Sequence, residues 1–138
     1  MRLSPTHAVT LAWNRAGSWN PRQAESLLRR DLRFLLAKLD KRLLGPRFYR
    51  KPSAARIEGL FVFEKLGTNP HAHALIRLPE TRFPAAQFPE LIAQTWQSVA
   101  PTGSAIIAHP HSAGFAGYIT KDQNPNSGWL VASEFHGS

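Results

Sequence analysis

The sequence predicts an α+β fold: an antiparallel sheet with packed helices, in a split βαβ arrangement whose central strand is residues 71–78. Three observations lead there. A run of apolar residues at steps of three and four (Ala24, Leu28, Leu32, Leu35, Leu39, Leu43) marks one long amphipathic helix. Two β-rich runs, 57–66 and 71–78, flank the turn-forming Gly67-Thr68-Asn69-Pro70. Further elements alternate around them in the order strand, long helix, two paired strands, helix, strand, helix.

Residues 8–13 (Ala-Val-Thr-Leu-Ala-Trp) form the first expected strand, closed by a loop over 14–19. The long helix starts at Asn20-Pro21-Arg22-Gln23, where Asn20 can cap, Pro21 suits the first helical position and Gln23 can reach back as in a capping box. Gly45-Pro46 stops it. Residues 47–56 then read as an exposed basic loop containing Pro52 and Ser53. Taking Gly67-Thr68 as a two-residue hairpin turn pairs Leu66 with Asn69 and sets Glu64 opposite His71; a longer loop is the alternative. Pro84 and Pro89 bracket the start of a second helix, with Ile92, Trp96 and Val99 or Ala100 inward. Residues 104–108 make a short strand after Pro101-Thr102-Gly103. A third helix is expected over about 112–121, ended by Asp122-Gln123-Asn124-Pro125. Residues 129–135 form a last strand or an irregular cover.

At 138 residues, 43% of them hydrophobic, the chain holds one domain's core, spanning 1–138 with a tail from about residue 126 expected to be irregular. Nothing approaches the roughly 20 apolar residues of a membrane span. The amino-terminal residues carry no apolar run behind their charge, so no signal peptide and a cytoplasmic location are expected. Cysteine is absent, which removes disulfides and thiolate metal sites. Seventeen Lys+Arg against nine Asp+Glu give a formal charge of +8. The excess is concentrated: residues 22–56 hold eleven cations (Arg22, Arg29, Arg30, Arg33, Lys38, Lys41, Arg42, Arg47, Arg50, Lys51, Arg56) and three acids (Glu25, Asp31, Asp40). Each Lys or Arg that meets a phosphate releases condensed counterions, so such a surface suits a nucleic acid.

Alternation along a strand puts His71 and His73 on one face, and the hairpin register brings Glu64 beside them. Two imidazoles and a carboxylate form a facial ligand set that suits Mn²⁺, Mg²⁺, Zn²⁺ or Fe²⁺ and leaves positions open for substrate oxygens. A lone His-x-His also arises on strands by chance; the acid at hairpin distance is what gives this one weight. Downstream, Tyr118 and Lys121 stand three apart and share a helix face, with Gly114 one turn earlier allowing close approach to the sheet. His109 and His111 repeat the His-x-His spacing, but Pro110 interrupts them and no upstream acid partners them. His7 and His136 read as edge and terminal residues. Trp96 reads as core, while Trp13 and Trp19 could pack or stack bases.

Phe63-Glu64 followed by Asn69-Pro70-His71-Ala72-His73-Ala74-Leu75-Ile76 resembles the His-hydrophobic-His metal motif of the HUH endonucleases. Gly117-Tyr118-Ile119-Thr120-Lys121 resembles the YxxK motif of their replication-initiator branch, and residues 8–13 are similar to the weakly defined first motif of those initiators. The three span residues 8 to 121 in the family's order. The resemblance implies the ferredoxin- or RRM-like HUH endonuclease fold and a rolling-circle initiator nuclease. Glu64, His71 and His73 would be ligands to Mn²⁺ or Mg²⁺, Tyr118 the nucleophile and Lys121 its cationic helper. The implied partners are single-stranded DNA at a replication origin, including one presented as a hairpin, and a host polymerase and helicase; with no helicase domain following, unwinding would need a host enzyme or a longer parent protein. Arg47, Arg50, Lys51, Arg56 and Arg77 are the expected DNA contacts. A single-tyrosine transposase or relaxase is the alternative within the superfamily, and a non-catalytic nucleic-acid-binding module the alternative outside it. The module would display aromatics on its exposed strands, whereas the His71 face offers His73, Leu75 and Arg77. A histidine-triad hydrolase would need His where Leu75 stands.

Overall fold

The computed structural model describes residues 5–15, 18–108 and the strand Trp129–Val131. The expected third helix, with Tyr118 and Lys121, and His109, His111 and His136 lie outside the described residues.

Among the described residues, five strands, β1 (His7–Ala12), β2 (Glu58–Glu64), β3 (His71–Arg77), β4 (Ser104–Ala108) and β5 (Trp129–Val131), join two α-helices, α1 (Pro21–Leu44) and α2 (Phe88–Val99). The sheet order is β4-β1-β3-β2-β5 and every neighbouring pair is antiparallel. β1 and β2 are therefore parallel to each other, joined through α1, with β3 inserted between them. The expected central strand is central.

Local chemistry explains the boundaries of α1. The Asn20 side chain accepts from the N–H groups of Arg22 (3.0 Å) and Gln23 (3.1 Å), satisfying two donors that a helix start leaves orphaned. Gly45 ends the helix at φ +94°, a conformation that a Cβ would penalise, and its N–H returns to the Lys41 carbonyl. Leu28, Leu32, Leu35, Leu36 and Leu39 are fully buried against Val9, Leu11, Phe61, Phe63, Ala74 and Ile76 of the sheet, with Ile92 and Trp96 of α2 completing the layer. Both helices thus cover one face. The other face carries the alternate residues of each strand, including His71, His73 and Arg77 of β3. Trp96 donates through Nε1 to the Ala12 carbonyl at 3.0 Å, tying α2 to β1. A Cβ on Gly103 would sit 2.6 Å from both of those atoms, so the turn before β4 needs glycine.

Two expectations are corrected. The hairpin does not use Gly67-Thr68 as a two-residue turn. β2 ends at Glu64, Lys65 takes φ +50°, and the Thr68 N–H bonds to the Lys65 carbonyl, giving a loop over residues 65–70. That longer loop is strapped to residues 13–19 by Trp13 N–H to the Pro70 carbonyl (3.2 Å) and Trp19 N–H to the Gly67 carbonyl (3.0 Å). Glu64 still stands opposite His71. Second, the basic segment is not uniformly exposed. Two short 3-10 turns, Phe48–Arg50 and Ser53–Ala55, bring Arg56 into the interior, where it is 5% exposed. Its Nε lies 3.0 Å from Asp40 Oδ2, while Asp40 Oδ1 accepts the Ile57 N–H at 2.9 Å. Burial pushes the Asp40 carboxyl above its ordinary value, opposed by the Ile57 N–H and by Arg56. Asp31 is buried too and accepts from Trp13 Nε1 at 2.9 Å. Among the described residues no helix is long and apolar enough to cross a membrane.

Removing one member of a buried pair leaves the other charge uncompensated, so Asp40→Ala should cost about 3–5 kcal/mol in a urea titration. Asp40→Asn combined with Arg56→Met keeps an acceptor for Ile57 and removes both charges; it should cost clearly less than Asp40→Ala alone. Equal losses would mean that the ion pair is not what holds α1 to β2.

Candidate metal centre

The centre lies where β2 ends and β3 begins, on the sheet face that neither helix covers. Glu64 pairs with His71 and Val62 with His73, while Ala12 and Thr10 of β1 flank the same two histidines from the other side. His71 and His73 are two residues apart on one strand, so both imidazoles rise from the same face. Their rings meet edge to face with centroids 5.1 Å apart. Glu64 Oε2 lies 3.0 Å from His73 Nε2 and 3.3 Å from His71 Nε2. The side chains keep 13% (His71), 16% (His73) and 21% (Glu64) of their surface exposed, so the cluster is sheltered yet open to solvent.

The second nitrogen of each ring shows what the first can do. His71 Nδ1 lies 2.9 Å from the Asn69 carbonyl oxygen, which can only accept. His71 therefore carries its proton on Nδ1, and in a neutral ring Nε2 presents a bare lone pair to a carboxylate oxygen. Two lone pairs 3.3 Å apart repel; a cation between them, or a second proton on the ring, removes the conflict. His73 Nδ1 is held by Thr10 Oγ1 at 3.1 Å, and a hydroxyl can serve either tautomer. A ring nitrogen anchored on a carbonyl or a polar side chain, with the other aimed at a common point, is the arrangement that orients metal-ligating histidines.

Spacing supports the same conclusion. Adjacent ligands about 2.1 Å from one ion stand about 3.0 Å apart in octahedral and about 3.4 Å apart in tetrahedral geometry. Both Glu64–histidine separations fall in that window, and all three ligand atoms lie within 4.8 Å of one another. Glu64, His71 and His73 can hold a metal ion. With three protein donors, coordination positions remain for water or a substrate oxygen.

The rim is polar. Asn14 and Asn69 exchange hydrogen bonds: Asn14 N–H donates to Asn69 Oδ1 (3.0 Å) and Asn69 Nδ2 to Asn14 Oδ1 (3.1 Å). Asn14 Nδ2 reaches Ser104 Oγ at 2.9 Å, linking the hairpin loop to β4.

The expected DNA contacts are not gathered here. Arg77 shares the face of His71 but stands at the opposite end of β3, six residues away, about 20 Å at strand rise. There it donates to the Ala54 carbonyl at 3.3 Å and faces Glu58, whose carboxyl burial pushes up and Arg77 partly pulls back. Arg47, Arg50 and Lys51 are exposed beside that same far end, in the connection entering β2. Arg56 is spent on Asp40 and does not offer a surface contact. Trp13 is core, and Trp19 packs on it at 5.1 Å, so neither is an open stacking platform. Tyr118 and Lys121 lie outside the described residues. Sequence reasoning missed Thr10 and the Asn69 carbonyl; a lone hydroxyl within Ala-Val-Thr-Leu-Ala was the available signal for the first. No family model, curated protein or solved structure matches the chain.

Thr10→Val keeps the shape at His73 but removes the partner of Nδ1. Calorimetric titration with Mn²⁺ should show about 10- to 100-fold weaker binding, with Thr10→Ser close to the parent. Unchanged affinity in the valine variant would show that Thr10 does not orient His73.

Proposed function

We propose that this protein is a metal-dependent nuclease that nicks single-stranded DNA through a tyrosine, as a rolling-circle replication initiator of HUH endonuclease type. The observation that carries the reading is the convergence of Glu64, His71 and His73 on one point of the sheet face opposite α1 and α2. The strand order β4-β1-β3-β2, with a strand inserted in each parallel pair, agrees with a split βαβ, ferredoxin-like layout. The sequence motif around Tyr118 and Lys121 supplies the nucleophile, and the excess of cations suits a phosphate backbone.

Bound at this centre, Mn²⁺ or Mg²⁺ would polarise a phosphodiester through a non-bridging oxygen and neutralise charge that repels an incoming nucleophile. The protein's own groups do the rest. Glu64, His71 and His73 hold the ion, with Asn69 and Thr10 fixing the two rings. The Tyr118 hydroxyl loses its proton and attacks phosphorus; the Tyr–phosphorus bond forms as the bond to the 3′ oxygen breaks, and that oxygen takes up a proton. The products are a 5′-phosphotyrosine and a free 3′-OH, with no water consumed. A phenol has a pKa of about 10, so Lys121 would lower the barrier by stabilising the developing phenolate. Because the phosphodiester energy is kept in the tyrosine ester, the reverse reaction rejoins strands without a nucleotide cofactor. The 3′-OH is a primer, which makes a host polymerase and helicase the fitting partners in the compartment where the replicon is copied.

Tyr118→Phe removes only the attacking oxygen. With labelled single-stranded DNA and Mn²⁺, that variant should bind DNA normally yet give neither cleavage nor a covalent adduct, while Lys121→Ala slows the reaction without abolishing it. Tyr49→Phe, altering the other tyrosine, should leave the adduct intact. Peptide mapping of the adduct by mass spectrometry decides the matter. Attachment at Tyr49, or efficient nicking by the Tyr118→Phe protein, would overturn the assignment.

A further inference from the structure

The metal centre and the exposed side of α1 face opposite ways. α1 lies against the sheet face formed by Val9, Leu11, Phe61 and Phe63, whereas the His71 face is on the reverse. The outward side of α1 presents Arg22, Arg30, Arg33, Lys38 and Lys41, all exposed, with Phe34 among them at 51% exposure. Of the three acids of the helix, Asp31 and Asp40 are buried, Asp31 meeting Arg30 at 3.5 Å, and Glu25 is 3.9 Å from Arg29. From Arg22 to Lys41 the row runs about 28 Å at helical rise. A DNA duplex of that length carries about 16 phosphate charges.

We infer that this outward face of α1 is a binding surface for the backbone of duplex DNA, separate from the metal centre. Its shape favours a duplex over a single strand. Single-strand binders pair a groove with a series of aromatic platforms, and this surface is a convex rod with one exposed aromatic ring. A membrane surface fits less well, because an interfacial helix buries an apolar face in the headgroups and the apolar face of α1 is consumed by the core. The inference stands independently of the nuclease reading: it needs the charge and its placement, not the chemistry on the other side. If both hold, the protein grips duplex with α1 while the opposite face handles unpaired DNA.

The test uses the full chain with Arg30→Gln, Arg33→Gln, Lys38→Gln and Lys41→Gln combined, glutamine being a good helix former. Circular dichroism and Mn²⁺ titration establish that fold and metal centre are intact. Anisotropy with a fluorescein-labelled duplex of about 24 base pairs, across a salt series, is the readout. Duplex affinity should fall roughly tenfold or more at low salt, and the log–log salt slope should become shallower by about 0.9 for each phosphate that is no longer neutralised. Affinity for an oligothymidine of the same length should change by less than about twofold. A comparison variant with Arg47, Arg50 and Lys51 changed to Gln should show the smaller duplex effect. Wild-type duplex affinity and slope in the α1 variant would overturn the inference. So would a proportional loss on oligothymidine, an equal duplex loss in the comparison variant, or loss of binding to phosphatidylserine vesicles with duplex binding retained. A parent protein that neither binds Mn²⁺ nor nicks DNA would sink the nuclease reading alone, since the duplex measurement does not depend on either.

Discussion

Glu64 stands opposite His71, and His73 follows two residues on; that register of the β2–β3 hairpin is the constraint from which the remaining features of the site derive. Strand side chains alternate with period two, so a slip of one residue between β2 and β3 would turn one strand over, part Glu64 from the two histidines and move that strand's core residues away from the helices. The apolar partition enforces the register. Phe61, Ala74 and Ile76 are fully buried on the side of the helices. The candidate metal centre is thus positioned by hydrophobic packing on the reverse side of the strands that carry it. Because β3 is paired on both edges, the two histidines have little backbone freedom, and Thr10 and the Asn69 carbonyl remove what rotation their rings retain.

Much of this was legible in the sequence because it follows from periodicity. The histidine pair, its acid, the bounds of α1 and the strand Ser104–Ala108 each come from a local pattern with a local physical cause: alternation, an Asn-Pro start, a Gly-Pro stop. What sequence reasoning misread depended on tertiary partners. Gly67-Thr68 has the composition of a tight turn, yet Trp13 and Trp19 bind the backbone of a longer loop, and those bonds exist only once β1 and β3 are side by side. Arg56 is chemically indistinguishable from its exposed neighbours until Asp40 is placed beneath it. Thr10 acquires its role from a pairing sixty-three residues distant, which no local pattern encodes.

The same distinction separates the parts of the functional reading. The ligand set can be judged by distances and hydrogen-bond chemistry, and both fit a metal ion. The proposed nucleophile rests on the sequence motif around Tyr118 alone. Beside the ligand set, Asn14, Asn69 and Ser104 are joined by hydrogen bonds that tie the hairpin loop to β4.

Burial of the two aspartates of α1 links stability to electrostatics. Asp31 anchors Trp13 and Asp40 anchors Arg56 and Ile57, so each fastens the helix to the sheet. Both lie buried on a helix whose exposed charged residues are Arg22, Arg30, Arg33, Lys38, Lys41 and Arg42, and Asp31 also meets Arg30 at 3.5 Å. An exposed carboxylate within a turn of Arg30 or Lys41 would lower the local potential that attracts phosphates. Placing the acids inward leaves cations as the charged groups that stand out from this side of α1, and the cost of burying the acids is offset by their partners in the core. A count of charges along the sequence does not separate the two sets, because it does not show that Asp31 and Asp40 lie inside while Arg22, Arg33 and Lys38 stand outside.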